Sequence, residues 1–87
     1  MRVVIAEDSV LLREGLARLL ADGGIEVVAQ VGDGPGLVAA VDAYRPDLAV
    51  VDVRMPPTLT DDGIRAAVSI RTRHPEVGIL VLSQYVE

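Results

Sequence analysis

Cysteine is absent from the 87 residues, so the chain has neither a disulfide framework nor a thiolate metal site. Phe and Trp are also absent, and a core must therefore be built from Val, Leu, Ile and Ala. Basic residues are too few for the segment to bind nucleic acid by itself, because the net charge is −5. No apolar run is long enough to span a bilayer, and Arg2 leads into a short run that ends in acids rather than into a signal peptide. We therefore expect one small cytoplasmic domain with no membrane partner.

The most informative stretch is Leu48–Asp52, in which four apolar residues precede a carboxylate. An apolar run of this length, rich in Val, is typical of a strand buried on both faces of a parallel sheet. Val3–Ala6 and a run from about Val77 to Leu82 end in the same way, before polar residues. Glu26–Val31 alternates more, with Gln30 among its valines, and is predicted to be a strand at or near an edge.

Helices are predicted between these strands from apolar residues spaced three and four positions apart. The first helix is predicted to lie between Ser9 and Gly23–Gly24, and the second between Pro35 and Pro46. The third is predicted to begin at Asp61 or Asp62 and to end at Pro75. The residues expected to face inward are Leu12, Leu16, Leu19 and Leu20 in the first helix, Leu37, Val41 and Tyr44 in the second, and Ile64, Ala67 and Val68 in the third. Four strands that alternate with three helices call for parallel strands with right-handed crossovers.

Four polar side chains follow the predicted strands directly. Glu7 and Asp8 follow the first, Asp52 ends the third, and Ser83 follows the fourth. Open α/β sheets bind ligands beyond the carboxyl ends of their strands. One such acid alone is most simply a solvated turn or a helix cap. Three acids at two strand ends favour a site for a divalent cation such as Mg²⁺, because clustered carboxylates are costly without a neutralising ion.

Two other features are predicted to be structural. Gly32–Gly36 is rich in glycine but lacks the spacing of a phosphate-binding loop, and we interpret it as an ordinary loop. His74, Arg71 and Arg73 lie at the end of the third helix, where cations complement the helix dipole. We expect His74 to complement the dipole, and Arg71 and Arg73 to form a solvated, dipole-matched helix tip.

Several stretches resemble the receiver domain of two-component response regulators. They are Val3–Asp8, Leu48–Pro56 with its Asp-x-x-Met-Pro pattern, the acidic-Gly helix start Asp62–Gly63, and Leu80–Ser83. The resemblance covers the whole chain, and it is closer to the branch with a LuxR-type helix-turn-helix output. It implies an α/β fold with a flavodoxin-like doubly wound parallel sheet, here with four strands and three helices.

The resemblance also implies roles for particular residues. Asp52 is the phosphoacceptor, which takes a phosphoryl group from a histidine kinase to form an aspartyl phosphate. Glu7 and Asp8 bind Mg²⁺ together with Asp52 and the backbone carbonyl of Arg54. Ser83 is the switch hydroxyl that turns toward the phosphoryl group. The expected function is signalling rather than enzymatic turnover of a separate substrate.

The chain departs from the family pattern beyond its fourth strand. The family carries a Lys and a switch aromatic on a fifth strand, and this sequence has no matching positions. Gln84 follows Ser83, where a small residue is more usual. We interpret residues 1–87 as the N-terminal part of a receiver domain, without the fifth strand, the last two helices or a DNA-binding output domain. We expect a homodimer or larger oligomer through the exposed fourth-strand edge or the uncovered sheet face beside the first helix, and DNA binding only through the absent domain.

Two alternative functions are considered. An aspartyl-phosphate phosphatase of the haloacid dehalogenase type needs a second Asp two residues after the nucleophile. That position is Arg54 here, which counts strongly against this class. A phosphorylation-independent module for interaction and dimerisation on the same fold stays open.

Overall fold

The computed structural model describes residues 1–52 and 62–82. The strands in these ranges are β1 (Arg2–Ala6), β2 (Glu26–Val31), β3 (Leu48–Asp52) and β4 (Gly78–Leu82). The helices are α1 (Val10–Asp22), α2 (Gly34–Tyr44) and α3 (Asp62–Arg73). The strands form one parallel sheet in the order β2-β1-β3-β4, which confirms the predicted flavodoxin-like arrangement and the edge position of β2.

Helices cover both faces of the sheet, and the side chains of β1 alternate between them. Val3 and Ile5 point to the face that carries α1. Val4 and Ala6 point to the opposite face, where they pack with residues of α2 and α3. This alternation is the period of two that a strand imposes on its side chains. The central strands β1 and β3 are therefore apolar on both faces, as the unbroken apolar runs predict.

The inward face of α1 differs from the predicted leucine stripe. Leu16 and Leu20 pack against the sheet as expected, and Ala17 lies between them. Leu12 is exposed, and Leu19 is 70% exposed, so both predictions of burial are wrong. The helical period is correct, but the contact face is turned about the helix axis toward Ala17. Leucines on the flank of this face stay in solvent.

The buried face of α3 is likewise rotated about the helix axis from the predicted face. Ala66, Ala67 and Ile70 are buried against the sheet and α2. Ile64 and Val68, which are predicted to be buried, are exposed. Small residues allow the helix to approach the sheet closely, whereas the larger Ile64 and Val68 lie at the side of the contact.

In α2, the predictions hold for Leu37 and Val41, which are fully buried. Tyr44 is half-exposed at the last turn of the helix, and its predicted burial is wrong. Ala40 completes the buried face of this helix.

The end of α3 is tied to α2, although Arg71 and Arg73 stay exposed. His74 is buried, and its Nε2 atom donates a hydrogen bond to Oδ1 of Asp42 at 2.7 Å. Arg73 forms an ion pair with the same carboxylate, at 2.8 Å. These contacts, the His74 hydrogen bond foremost, hold the pKa of Asp42 below its ordinary value. Arg71 donates to the carbonyl oxygens of Pro75 and Val77. Arg71 and Arg73 are therefore exposed at the helix end as predicted, whereas His74 is buried and bonded to Asp42 rather than only complementing the dipole.

The helix starts follow the capping chemistry of the sequence. The Ser9 hydroxyl accepts a hydrogen bond from the Leu12 amide, and the Asp33 carboxylate accepts one from the Gly36 amide at 2.6 Å. Because Asp33 is the cap, α2 begins at Gly34, and only the first residues of the glycine-rich stretch belong to a loop. Gly24, with φ of 86°, provides the left-handed turn after α1. None of the helices in the described ranges has the length and apolarity that a membrane crossing requires.

We predict that Ile70→Ala lowers the free energy of unfolding by about 2–5 kcal/mol, because it leaves a cavity at a core side chain. Ile70 is 1% exposed, whereas Ile64 on the same helix is 47% exposed. Ile64→Ala is the matched control and should cost less than about 1 kcal/mol. Urea unfolding at one protein concentration measures both. Equal losses would contradict the assignment of the buried face of α3.

Candidate functional site

Strand pairing brings the acidic residues to one edge of the sheet. β1 and β3 are neighbours, with Ala6 opposite Val51, so that Glu7 and Asp52 both lie just beyond this pair. The strand order reverses between β1 and β3, which is the position where open α/β sheets bind ligands. Carboxylate oxygens of Glu7, Asp8 and Asp52 lie within 4.8 Å of one another. The structure therefore brings together the three acids that the sequence predicts as a site.

Glu7 belongs to the segment that joins β1 to α1, residues 7–9, which we call the acid loop. Its amide donates to the carbonyl oxygen of Val31 at 3.0 Å, which continues the pairing of β1 with β2. Its Oε2 atom accepts a hydrogen bond from the Ser9 amide at 2.9 Å. Its carbonyl oxygen accepts one from Nη1 of Arg13 at 2.8 Å. The backbone and the side chain of Glu7 are both held in place by neighbouring elements.

The electrostatics of the cluster are unfavourable without a cation. Glu7 and Asp52 are almost fully buried, and Asp8 is exposed beside them. Burial raises the pKa of Glu7 from 4.5 to about 7. The Asp8 hydrogen bond and the charges of Asp52 and Asp8 add to this rise, whereas the hydrogen bond from the Ser9 amide opposes it. Near neutral pH, a part of the molecules therefore carries Glu7 in its protonated form.

The residues present fit a hard divalent cation. All three predicted side-chain ligands are carboxylates, which Mg²⁺ prefers, and they approach from two strand ends. Mg²⁺ binds oxygens at about 2.1 Å, so that small side-chain adjustments bring three oxygens of this spacing onto one ion. The other two predicted members of the site, the carbonyl of Arg54 and the hydroxyl of Ser83, lie outside the described residues.

Arg13 is not among the site residues that the sequence predicts. It stands three, four and seven positions before Leu16, Ala17 and Leu20, and therefore on the inward face of α1. A charged residue on the inward stripe of a helix is the signal that could have identified it. In the structure its side chain reaches the backbone of Glu7.

Comparison with known proteins supports the same reading of the chain. Residues 3–87 match the family model of the response regulator receiver domain. The transcriptional regulatory protein PdtaR of Mycobacterium tuberculosis is 41% identical over 85 residues, which are 95% of this chain and 40% of that protein. The chain thus spans less than half the length of this curated relative.

Solved structures resemble both the fold and the branch that the sequence predicts. The signal receiver domain of NarL from Mycobacterium tuberculosis has a TM-score of 0.87 and 34% identity, with 99% of this chain and 68% of that chain covered. A LuxR-family two-component response regulator from an Aurantimonas species has a TM-score of 0.87 and 28% identity, with coverages of 98% and 59%. The predicted resemblance to receivers of the LuxR branch is confirmed.

We predict that metal-free protein loses stability as the pH rises from 4.5 through 7, because the folded-state pKa of Glu7 is raised to about 7. A raised carboxyl pKa stabilises the fold only while the group is protonated, and its contribution is lost as it ionises. The full loss for such a shift is about 3 kcal/mol. Glu7→Gln cannot ionise and should flatten this part of the profile. Urea unfolding in chelator at several pH values measures the difference between the two proteins, and parallel profiles would contradict the prediction.

Proposed function

This chain belongs to the response regulator receiver domain family, and from that premise we propose that it accepts a phosphoryl group on Asp52 from the phosphohistidine of a histidine kinase. The observation that carries the proposal is the grouping of Glu7, Asp8 and Asp52 at the carboxyl ends of β1 and β3. Asp52 is the member that ends the central strand, where its backbone is fixed by pairing with β4. A carboxylate held in this way meets an incoming phosphoryl group with little loss of freedom.

The proposed transfer balances as a simple displacement. A carboxylate oxygen of Asp52 attacks phosphorus, and the bond between phosphorus and the imidazole nitrogen of the kinase breaks. The electron pair of that bond stays on the imidazole, and the product on this chain is an acyl phosphate. Buried surroundings at Asp52 limit the access of water.

We propose that Mg²⁺ is the cofactor, bound by Glu7, Asp8 and Asp52 with the backbone carbonyl of Arg54. When bound, the ion neutralises charge on the phosphoryl oxygens. The chain contributes the placement of its ligands, since β2, the Ser9 amide and α1 hold Glu7. Ser83 is proposed as the hydroxyl that responds to the phosphoryl group.

The wider role that we propose is signalling in the cytoplasm. The likeness to LuxR-family regulators supports control of a DNA-binding output located elsewhere in a longer protein, of which residues 1–87 form the N-terminal part of the receiver domain. The net charge of −5 agrees with DNA contacts being made outside these residues. We propose that the chain takes part in its own phosphotransfer and does not turn over a separate substrate.

We predict that a receiver containing this chain gains one phosphoryl group from acetyl phosphate or a cognate kinase in Mg²⁺, and that Asp52→Asn abolishes the gain. Intact mass measures both proteins. Asp8→Asn should lower the gain because it removes a proposed metal ligand, whereas Glu76→Gln, in the turn between α3 and β4, should not. Chelator should lower the gain in the parent protein and in Glu76→Gln.

An unchanged gain in Asp52→Asn would overturn the assignment of the phosphoacceptor. No gain in any protein, with the fold intact, would favour the alternative function, a receiver-like module that interacts without phosphorylation.

We also propose that the 87-residue chain forms a homodimer through the edge of β4. Among the described strands, β4 pairs only with β3, and Leu80 and Val81 are 50% and 46% exposed. Exposed Ile64 and Val68 of α3 line an apolar groove beside this strand. An apolar edge strand is a template for pairing with another chain, and a two-fold axis would let both copies bury the same surface.

We predict that the 87-residue chain sediments as a dimer or larger oligomer at micromolar concentration. Val81→Lys should shift it toward monomer, because a charged side chain opposes edge pairing. Leu19→Lys on the exposed face of α1 is the matched control and should leave the distribution unchanged. A well-folded monomer at all concentrations would contradict the proposed interface.

A further inference from the structure

The charged side chain of Arg13 lies on a face of α1 that is otherwise apolar. Leu16, Ala17 and Leu20 on this face pack against the sheet. Arg13 occupies the first turn of the same face and is only half-exposed. A guanidinium in this position needs polar partners, because partial burial of an unpaired charge is costly.

The partner of Arg13 is the acid loop. Nη1 donates to the carbonyl oxygen of Glu7 at 2.8 Å, and the Arg13 amide donates to the carbonyl oxygen of Ser9 at 2.9 Å. The side chain of Arg13 thus binds the first residue of the acid loop, and its amide makes the ordinary first hydrogen bond of α1 to the last residue of that loop. Asp8 lies between these two contacts.

The second neighbour of Arg13 is Gly32, which follows β2. A Cβ atom at this position would lie 3.0 Å from Nη1 of Arg13. The glycine therefore leaves the space that the guanidinium occupies. The same Cβ would be 4.0 Å from the carbonyl oxygen of Glu7, so that Nη1 of Arg13 lies close both to the acid loop and to the segment after β2.

We propose that Arg13 is a positioning residue, which fixes the acid loop so that Glu7 and Asp8 present their carboxylates together with Asp52. The proposal rests on the proposed function, in which these acids bind a divalent cation. Arg13 acts through the backbone of Glu7. Gly32 completes the arrangement because it admits the guanidinium to this position.

Charge and positioning make opposite predictions for Arg13. A positive charge near a cation site weakens cation binding, so that its removal should strengthen the binding of Mg²⁺ if charge is all that matters. Loss of the hydrogen bond to Glu7 should loosen the acid loop and weaken binding instead. The direction of the change therefore separates the two effects.

The test is calorimetric titration of Mg²⁺ into the full chain and its variants. We expect Arg13→Ala to weaken binding about tenfold, the range known for residues that orient metal ligands. Arg13→Lys should recover most of the affinity, since an ammonium group can donate a single hydrogen bond to the same carbonyl. Arg18→Ala is the matched control, because it removes the same charge from the same helix, and it should not weaken binding.

Gly32→Ala tests the contact from the other side. The added methyl group should displace the guanidinium and weaken Mg²⁺ binding about threefold, but only while Arg13 is present. In the Arg13→Ala background, the same substitution should have no further effect. Equal effects in both backgrounds would mean that Gly32 acts independently of Arg13, and the proposal would fail.

A metal-free measurement separates this proposal from the proposed function. Amide hydrogen exchange at Ser9, whose amide is bonded to Glu7, should become faster in Arg13→Ala and Gly32→Ala and stay unchanged in Arg18→Ala. If the parent protein binds Mg²⁺ and Arg13→Ala binds it equally well or better, the proposal for Arg13 is wrong and the proposed function stands. If the parent protein binds no Mg²⁺, the proposed function is wrong, and unchanged exchange at Ser9 would then also exclude the role of Arg13.

Discussion

The pairing of β1 with β3 is the constraint on which the site depends. It places Ala6 opposite Val51, so that Glu7 and Asp52 lie at the same edge of the sheet, at the ends of the two strands. Asp8 follows at once, and the oxygens of the three acids lie within 4.8 Å of one another. Burial raises the pKa of Glu7, and the neighbouring Asp8 and Asp52 add to this rise, so that the grouping is unfavourable without a cation. The apolar packing of the central strands holds the carboxylates together against this cost.

The helix α1 contributes more to the position of the acid loop than to the apolar core. Every residue of α1 keeps some exposure to solvent, and only part of its inward face packs on the sheet. Its first turn, in contrast, is closely bonded to the acid loop: Ser9 caps the helix and binds the Glu7 carboxylate, and Arg13 binds the Glu7 carbonyl. Small shifts of α1 would therefore reach the acids directly.

The opposite side of the sheet is joined differently. His74 connects the end of α3 to Asp42 of α2, so that these helices form one packed layer over β1 and β3. This layer ends at β4, where Val81 remains exposed in the groove beside α3 and Leu80 remains exposed as well. The molecule thus separates a polar site at the strand ends from an apolar surface at the sheet edge.

The element order, the parallel sheet and the three acids of the site follow from the sequence alone, because apolar runs that end in carboxylates are local signals. The buried faces of α1 and α3, in contrast, are set by the packing of these helices on the sheet. Leu19 and Ile64 fit the helical spacing of apolar residues, yet both lie in solvent. This spacing is compatible with neighbouring faces of one helix, and the contact with the sheet determines which of them is buried. The contacts of Arg13 and His74 also depend on the fold, because it brings their partners, the Glu7 carbonyl and Asp42, close to them.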